Sequence, residues 1–352
     1  MTRRDANVEG AAGLSRALAF LALSLLIAFA PAAHAQVPWT SQAVFLDNFS
    51  QAVRVDAPRN VIYVSVPLAN RVYVLDLNTL AVIDKLYVGF HPYGIDLSLD
   101  NTTLYAAESG AGAIGVYDLV HQTQSDIDIS IPLGNPYTYD VVEAAPGLVF
   151  ASANPGSSGL AYIVRVDMAT GASAVVADGQ IIRSGPIFAK DPSQKFLYVP
   201  SEDDGLYRLD ITKPTAPIEF TSTQFLNGTT TSIDVNPTGD RLVLGSGEVL
   251  RANELTEDGT VGNGVALFTA DGSQIVSAIG SDPVTINVFD STTLDQVQSI
   301  PTTCSFASSS PYEPPVIPTA IRPLPGLGWV VIGNTMVCVV RPPDPIFGNG
   351  FD

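Results

Sequence analysis

A short strand–turn–strand segment recurs seven times along the chain at a nearly constant spacing. Two copies are IDLSLDNTTLYAAE at 95–108 and IFAKDPSQKFLYVP at 187–200. The spacing averages about 45 residues between second-strand centres, which are Tyr63, Tyr105, Phe150, Tyr198, Val243, Val276 and Val331. A period of about 40 to 50 residues with four short strands per unit is typical of propeller blades. The sequence therefore predicts an all-β, seven-bladed β-propeller.

A second recurring unit is an apolar strand that ends in aspartate and is followed by a polar turn. Its copies end at Asp76, Asp118, Asp167, Asp210 and Asp290. A carboxylate at this position can accept backbone N–H groups two residues on, so we interpret these aspartates as turn-forming. Blade five lacks the unit in GEVLRANELTEDGTV (247–261), and the spacing there falls to 33 residues before rising to 55. The sequence therefore does not show where the third and fourth strands of blade five lie.

The ring of blades must close, because a single four-stranded sheet cannot bury both of its faces. The third strand of the last blade, at 335–340, runs into Arg341-Pro342-Pro343. Proline cannot donate to a strand ladder, so a fourth strand is missing there. AVFLDNF at 43–49 can supply it. We therefore predict a Velcro closure, in which residues near 41–49 complete blade seven.

The repeats include DNTTLYAAES (100–109) and PSQKFLYVPS (192–201), and closing steps such as VGFHPYGID (88–96) and LGNPYTYD (133–140). In these segments the chain resembles the YVTN-type, lactonase-like β-propellers of bacterial exported proteins. The resemblance covers most of residues 50–340. It implies an exported propeller, and it suggests lactonase-type hydrolysis as one possible activity.

The N-terminus carries the pattern of a secretory signal peptide. Arg3, Arg4 and Arg16 precede an apolar run at 17–30 and the small-x-small site Ala33-His34-Ala35. We expect cleavage near Gln36, a propeller at 36–341 and a tail at 342–352. The apolar run is shorter than the roughly 20 residues that span a bilayer. We therefore expect no membrane span after cleavage, the alternative being an uncleaved anchor helix.

The charge balance argues against nucleic acid as a partner. The chain has a formal net charge of −18, and removing the three basic and two acidic residues of the signal makes it −19. A phosphate backbone requires clusters of Lys and Arg, which the mature sequence lacks. We expect a monomer, exported to the periplasm, the cell surface or the medium, with a protein, peptide or saccharide ligand.

The two cysteines predict one disulfide. Cys304 and Cys338 are an even pair in a chain with an export signal, where oxidation is favoured. The alternative is two buried thiols, and a zinc site would need further ligands.

A candidate ligand site lies in the loops that lead into the innermost strands, which ring one mouth of a propeller channel. These loops contain His91, Tyr93, Asn135, Tyr137 and Arg183, together with the threonines at 229–231. Aromatic and hydrogen-bonding groups that converge there would suit a small polar, peptide or saccharide ligand. The alternative is that these residues only form turns and cover blade edges.

Three aspartates fall at the same point of different innermost strands: Asp96, Asp140 and Asp234. The equivalent position in blade one is Arg54, and blades four, six and seven have Ala189, Leu267 and Ile321. The three carboxylates could bind Ca²⁺ or hold the Arg54 guanidinium. Alternatively, each could cap backbone N–H groups of the adjoining blade.

Catalytic groups are scarce. His91 and His121 are the two histidines after the signal, and no G-x-S-x-G motif is present. The sequence therefore favours a non-catalytic binding or interaction scaffold at the cell envelope, with no catalytic residues and no cofactor other than a possible Ca²⁺. The alternative is a lactonase-type hydrolase with a metal-assisted site in the mouth.

Overall fold

The computed structural model describes residues 38–132, 134, 136–156, 159–183, 187–201, 205–222, 232–306, 317–326 and 328–343, and for 178–183 it describes the backbone alone. Within these ranges, 28 strands pair into seven four-stranded antiparallel sheets. The helical structure in the same ranges is a 3₁₀ turn at Pro67–Ala69, and none of it is long or apolar enough to cross a membrane.

The first strand, β1 (Thr40–Phe45), belongs to the last blade, and blades one to three follow it in chain order. Blade one contains β2 (Val53–Asp56), β3 (Val61–Val66), β4 (Arg71–Asp76) and β5 (Val82–Leu86). Blade two contains β6 (Pro92–Leu97), β7 (Thr103–Glu108), β8 (Ala113–Asp118) and β9 (Thr123–Asp128). Blade three contains β10 (Tyr137–Ala145), β11 (Leu148–Asn154), β12 (Leu160–Asp167) and β13 (Ala172–Arg183).

Blades four to seven repeat this order. Blade four contains β14 (Ala189–Lys190), β15 (Phe196–Ser201), β16 (Gly205–Asp210) and β17 (Ile218–Thr221). Blade five contains β18 (Ile233–Val235), β19 (Arg241–Leu244), β20 (Glu248–Arg251) and β21 (Thr256–Thr260). Blade six contains β22 (Val265–Phe268), β23 (Gln274–Ile279), β24 (Thr285–Asp290) and β25 (Gln296–Pro301). Blade seven contains β26 (Ala320–Leu324), β27 (Gly328–Gly333) and β28 (Met336–Arg341), with β1 as its fourth strand.

The ring closes as the sequence predicts. β1 pairs antiparallel with β28, and Ala43 lies opposite Cys338 in the ladder. The innermost strands of blade seven and blade one, β26 and β2, also contact each other. The seven-bladed propeller and its Velcro closure by an N-terminal strand are thus confirmed.

Each blade interface has its own apolar core, because successive side chains of a strand point to opposite faces of the sheet. In β3, Ile62 and Val64 pack with blade seven, whereas Tyr63 between them packs with blade two. The same arrangement gives seven core clusters among the described residues, one for each pair of neighbouring blades. Both faces of a second strand such as β3 are therefore buried, which explains why its sequence is a continuous apolar run.

The recurring aspartates form turns, as predicted. Asp76 Oδ1 accepts the backbone N–H of Asn78 (3.0 Å) and of Thr79 (2.8 Å). The other four accept the N–H two residues on in the same way: Asp118, Asp167, Asp210 and Asp290. Their role in the described turns is to hold the chain between the third and fourth strands.

Blade five forms its third and fourth strands without the aspartate. Leu255 has a left-handed φ of 49°, and its N–H donates to Arg251 O at 2.8 Å. Leu80 has the same geometry, with a φ of 58° and a 2.9 Å bond to Asp76 O. The turn is therefore made by the backbone, and the aspartate adds to it. The long spacing of 55 residues follows blade six and falls in the connection between β25 and β26.

The predicted disulfide is present. Cys304, in that long connection, is bonded to Cys338 of β28, with 6.1 Å between the Cα atoms. Both residues are fully buried in the core between blades six and seven. Trp39, just before β1, stacks on Trp329 at 5.0 Å in the same core. The bond therefore lies next to the seam at which the ring closes.

Candidate functional site

The innermost strands surround two cavities along the centre of the ring. The mouth cavity, about 100 Å³, lies where these strands begin and is lined by residues such as Gly94 and Tyr139. The central cavity, about 310 Å³, lies further along and is lined by all seven innermost strands or the residues next to them. Four residues line both cavities: Arg54, Phe188, Ile233 and Arg322.

Asp96 is the best-compensated carboxylate in the channel. Its side chain is only 4% exposed, and it forms ion pairs with Arg54 Nε (2.8 Å) and Lys190 Nζ (2.8 Å). Its Oδ2 also accepts the N–H of Glu143, on blade three, at 3.1 Å. Burial acts against its charge, but the two cations and these hydrogen bonds hold the pKa of Asp96 below its usual range. The predicted Arg54 salt bridge is therefore present.

Asp140 and Asp234 connect neighbouring blades. Asp140 Oδ2 accepts the N–H of Phe188 at 2.9 Å, and Asp234 Oδ2 accepts the N–H of Phe268 at 2.8 Å. Neither carboxyl has a cationic nitrogen of a described residue within 4.0 Å. Burial raises the pKa of both carboxyls to about 6. With Asp96, they confirm that each aspartate of the set caps a backbone N–H of the adjoining blade.

Two further cations line the central cavity that the repeat alignment did not identify. Lys190 and Arg322 each lie one residue after the aligned positions, Ala189 and Ile321, and so project from the opposite face of their strand. The channel set therefore consists of three cations and three carboxyls: Arg54, Lys190, Arg322, Asp96, Asp140 and Asp234. An offset of nine residues before the second-strand centre gives Arg54, Asp96, Asp234 and Arg322, whereas Asp140 lies ten residues before Phe150 and Lys190 lies eight before Tyr198.

This environment fits calcium poorly. Ca²⁺ is bound by six to eight oxygen ligands. The central cavity is instead lined by three basic side chains, and Asp96 already pairs with two of them. In the described parts of the chain, no three His, Cys, Asp or Glu side chains are grouped so as to hold a metal ion. The calcium hypothesis stays a prediction, and calorimetric titration of the protein with Ca²⁺ checks it.

A third cavity, about 270 Å³, opens beside the mouth; we call it the rim pocket. It is lined by Phe49, Pro67, Leu68, His91, Tyr93, Ser109, Tyr137 and Tyr139, from blades one to three and the residue stretch before β2. The structure thus brings together three of the predicted ligand-binding residues, His91, Tyr93 and Tyr137. Tyr139 also lines the mouth cavity, so the two cavities are neighbours.

Aromatic contacts set the shape of the rim pocket. Tyr93 and Tyr139 meet edge to face at 5.7 Å, and the His91 ring stacks on Phe90 at 4.5 Å. The His91 backbone is fixed by a left-handed φ of 53° and by a 3.0 Å hydrogen bond from its N–H to Asn70 Oδ1. Tyr137 is 49% exposed.

The remaining predicted ligand-binding residues cannot be placed in the pocket. Asn135, the side chain of Arg183 and residues 229–231 lie outside the described residues. Conversely, sequence reasoning missed Phe49, Leu68 and Tyr139. Tyr139 could have been found, because it alternates with Tyr137 along β10. Leu68 belongs to a turn between second and third strands, which the repeat does not mark.

A buried carboxyl supports the loop that carries His91. Glu108 is 2% exposed, and its Oε2 accepts the N–H of Phe90 at 2.9 Å. Its Oε1 is buried without a hydrogen-bond donor among the described residues. Burial, and then the nearby Asp126, raise the pKa of Glu108 to about 7.

Comparison with known proteins adds no family to this description. No protein-family model matches the chain, and no curated protein sequence matches it significantly.

Proposed function

We propose that this chain is an exported, non-catalytic binding protein whose rim pocket receives an extended segment of a partner protein. The observation that carries the proposal is the rim pocket, in which loops of three blades converge on four aromatic rings and one imidazole. No described residue hydrogen-bonds to the hydroxyls of Tyr93, Tyr137 or Tyr139, and on this proposal these hydroxyls bind the partner segment.

The chemistry of the lining favours a peptide. Aromatic-lined grooves dock extended, proline-containing segments, whose apolar faces pack on the rings while their carbonyls accept hydrogen bonds from hydroxyl groups. A saccharide usually needs carboxylate or amide side chains for its hydroxyls, and the rim pocket has none among its lining residues. Leu68, 64% exposed, adds an apolar wall.

Export is supported by three features. The first 35 residues have the charge and apolar pattern of a signal peptide. The Cys304–Cys338 bond suits an oxidising compartment such as the periplasm, the cell surface or the medium. The repeat segments also resemble those of YVTN-type exported propellers. On this proposal the protein is an envelope or secreted scaffold.

The test is a binding screen with matched tyrosine variants. The mature protein is applied to arrays of proline- and aromatic-containing peptides and to a glycan array, and affinities for the best peptides are measured by fluorescence polarisation. Tyr137→Ser should weaken peptide binding about tenfold or more. Tyr87→Ser is the control, because Tyr87 is 47% exposed but lies outside the pocket. Binding of glycans alone, or equal binding by both variants, would contradict the proposal.

A lactonase-type hydrolase is the second candidate. It is favoured by the mouth cavity, in which Asp140, with a pKa raised to about 6, lies with Arg54 and Arg322. Lactones are therefore assayed with and without added divalent metal. Metal-dependent turnover that is lost in Asp140→Asn would establish the hydrolase and overturn the non-catalytic role.

A further inference from the structure

The two arginines of the channel are an unusual pair for a protein interior. Arg54 and Arg322 line both the mouth cavity and the central cavity. Burial lowers the pKa of Arg322 to about 10, and the positive charge of Arg54 is the next cause. The positive charge of Arg54 disfavours the charged form of Arg322, while the carboxyls of Asp234, Asp140 and Asp96 favour it.

Arg322 is also poorly satisfied by the protein. Its Nη1 donates to Ile321 O at 2.8 Å, and it forms no ion pair within 4.0 Å of any described residue. Its Nε and Nη2 have no acceptor in the described chain. Arg54 uses Nε for Asp96 and Nη1 for Val53 O, which leaves Nη2 without a described partner. Guanidinium N–H groups from two neighbouring innermost strands are therefore available to one ligand.

We propose that Arg54 and Arg322 form a binding site for a small oxyanion, a carboxylate or a phosphate group, held in the channel between the mouth cavity and the central cavity. A planar guanidinium donates two parallel hydrogen bonds to such a group. The central cavity, about 310 Å³, holds a ligand of several non-hydrogen atoms. The proposal is independent of peptide binding in the rim pocket.

The other charged groups on the channel make the site dependent on pH. Asp96 is already neutralised by Arg54 and Lys190, whereas Asp140 and Asp234 have no cation partner among the described residues. Blade six contributes residues without ionisable groups to the lining: Leu267, Phe268, Thr269 and Ala270. Protonation of Asp140 and Asp234 below about pH 6 leaves the channel with excess positive charge. Oxyanion affinity should therefore rise as the pH falls.

Anion-dependent thermal shifts and calorimetry test the site. Sulfate, inorganic phosphate and malonate are each titrated into the mature protein at pH 5.0 and 7.5, with chloride at matched ionic strength as the reference. We expect saturable stabilisation, which for sulfate, a dianion at both pH values, is stronger at pH 5.0. A preference for malonate would identify a carboxylate ligand, and a preference for phosphate or sulfate would identify a tetrahedral oxyanion.

The variant Arg322→Gln separates a binding role from a structural one. It should weaken oxyanion binding about 10- to 100-fold, and in chloride its Tm should be equal to or above that of the wild type, because an unpaired cation is removed. Arg251→Gln, on the outer part of blade five, is the control. If Arg322→Gln fails to fold, Arg322→Lys is used instead. It keeps the positive charge but lacks the planar guanidinium with its two parallel N–H donors, so it should still bind the oxyanion less tightly than the wild type. Absence of saturable stabilisation in the wild type, or unchanged affinity in the variants, would overturn the site.

Discussion

At the scale of single residues, charges in the channel are compensated by partners on other blades. Asp96, on blade two, pairs with Arg54 on blade one and Lys190 on blade four, and it also accepts an N–H from blade three. A carboxylate in this position connects four blades at once. Its removal leaves two cations without their partner, which costs more than the attraction itself contributes.

We therefore expect Asp96→Asn to lower the free energy of unfolding by about 2 to 4 kcal/mol, somewhat less than a fully buried pair because Lys190 is one-third exposed. Urea denaturation followed by tryptophan fluorescence measures the change. Asp295→Asn, at an exposed position, should stay within about 0.5 kcal/mol of the wild type. Adding Lys190→Met to Asp96→Asn should recover part of the loss, and a purely additive double variant would contradict the ion-pair explanation.

At the scale of strands, the turn-forming aspartates show how far the sequence predicts the blades. The apolar-Asp unit locates the third strands of five blades, which end at Asp76, Asp118, Asp167, Asp210 and Asp290. It fails in blade five because the Arg251–Leu255 turn is made by the backbone alone. The rim pocket was partly predictable for a related reason: its loops belong to the repeat, but Leu68 and Phe49 come from segments that the repeat does not mark.

Of the channel cations, Lys190 was not predictable from the nine-residue offset that gives Arg54 and Arg322, because it lies eight residues before Tyr198. β14 contains only two residues, Ala189 and Lys190, and which of them faces the cavity depends on the register of that short strand. A one-residue step moves a side chain to the other face of a sheet. In β26 the register places Ile321, and not Arg322, opposite Val331, although Arg322 lies nine residues before it. Pairing of acidic with basic groups across blades is a tertiary property that a single repeat does not encode.

The disulfide belongs to the element scale, because it ties the connection after blade six to the third strand of blade seven. The two residues are 34 positions apart, and closing a loop of that length should stabilise the protein by about 3 to 4 kcal/mol on the chain-entropy model. Cys304→Ala, Cys338→Ala and the double variant should all lose a similar amount, since either change breaks the bond. Non-reducing mass spectrometry that finds both thiols free to react with an alkylating agent would refute the prediction.

For the whole molecule, ionisable groups of two kinds set the dependence of stability on pH. Asp140 and Asp234 ionise near pH 3.8 when unfolded but near 6 when folded, and Glu108 shifts from 4.5 to about 7. Asp118 and Asp210 shift the other way, to about 2, chiefly through side-chain hydrogen bonds from His121 and Lys213. Carboxyls with a raised pKa lower the stability of the folded protein as the pH rises, and carboxyls with a lowered pKa lower it as the pH falls.

Between about pH 4 and 7 the folded chain therefore holds protons that the unfolded chain has released, so stability falls as the pH rises through this range. Below about pH 4 the lowered carboxyls reverse the slope. We expect the Tm in chloride buffers to be highest near pH 4.5 to 5 and clearly lower at pH 7.5. The loss in the free energy of unfolding over this range is at most about 3 kcal/mol for each buried carboxyl. Glu108→Gln and Asp234→Asn should each reduce the difference between pH 5 and 7.5, because an amide cannot ionise. A Tm that is the same or higher at pH 7.5 would show that these carboxyls are ionised without penalty in the folded protein.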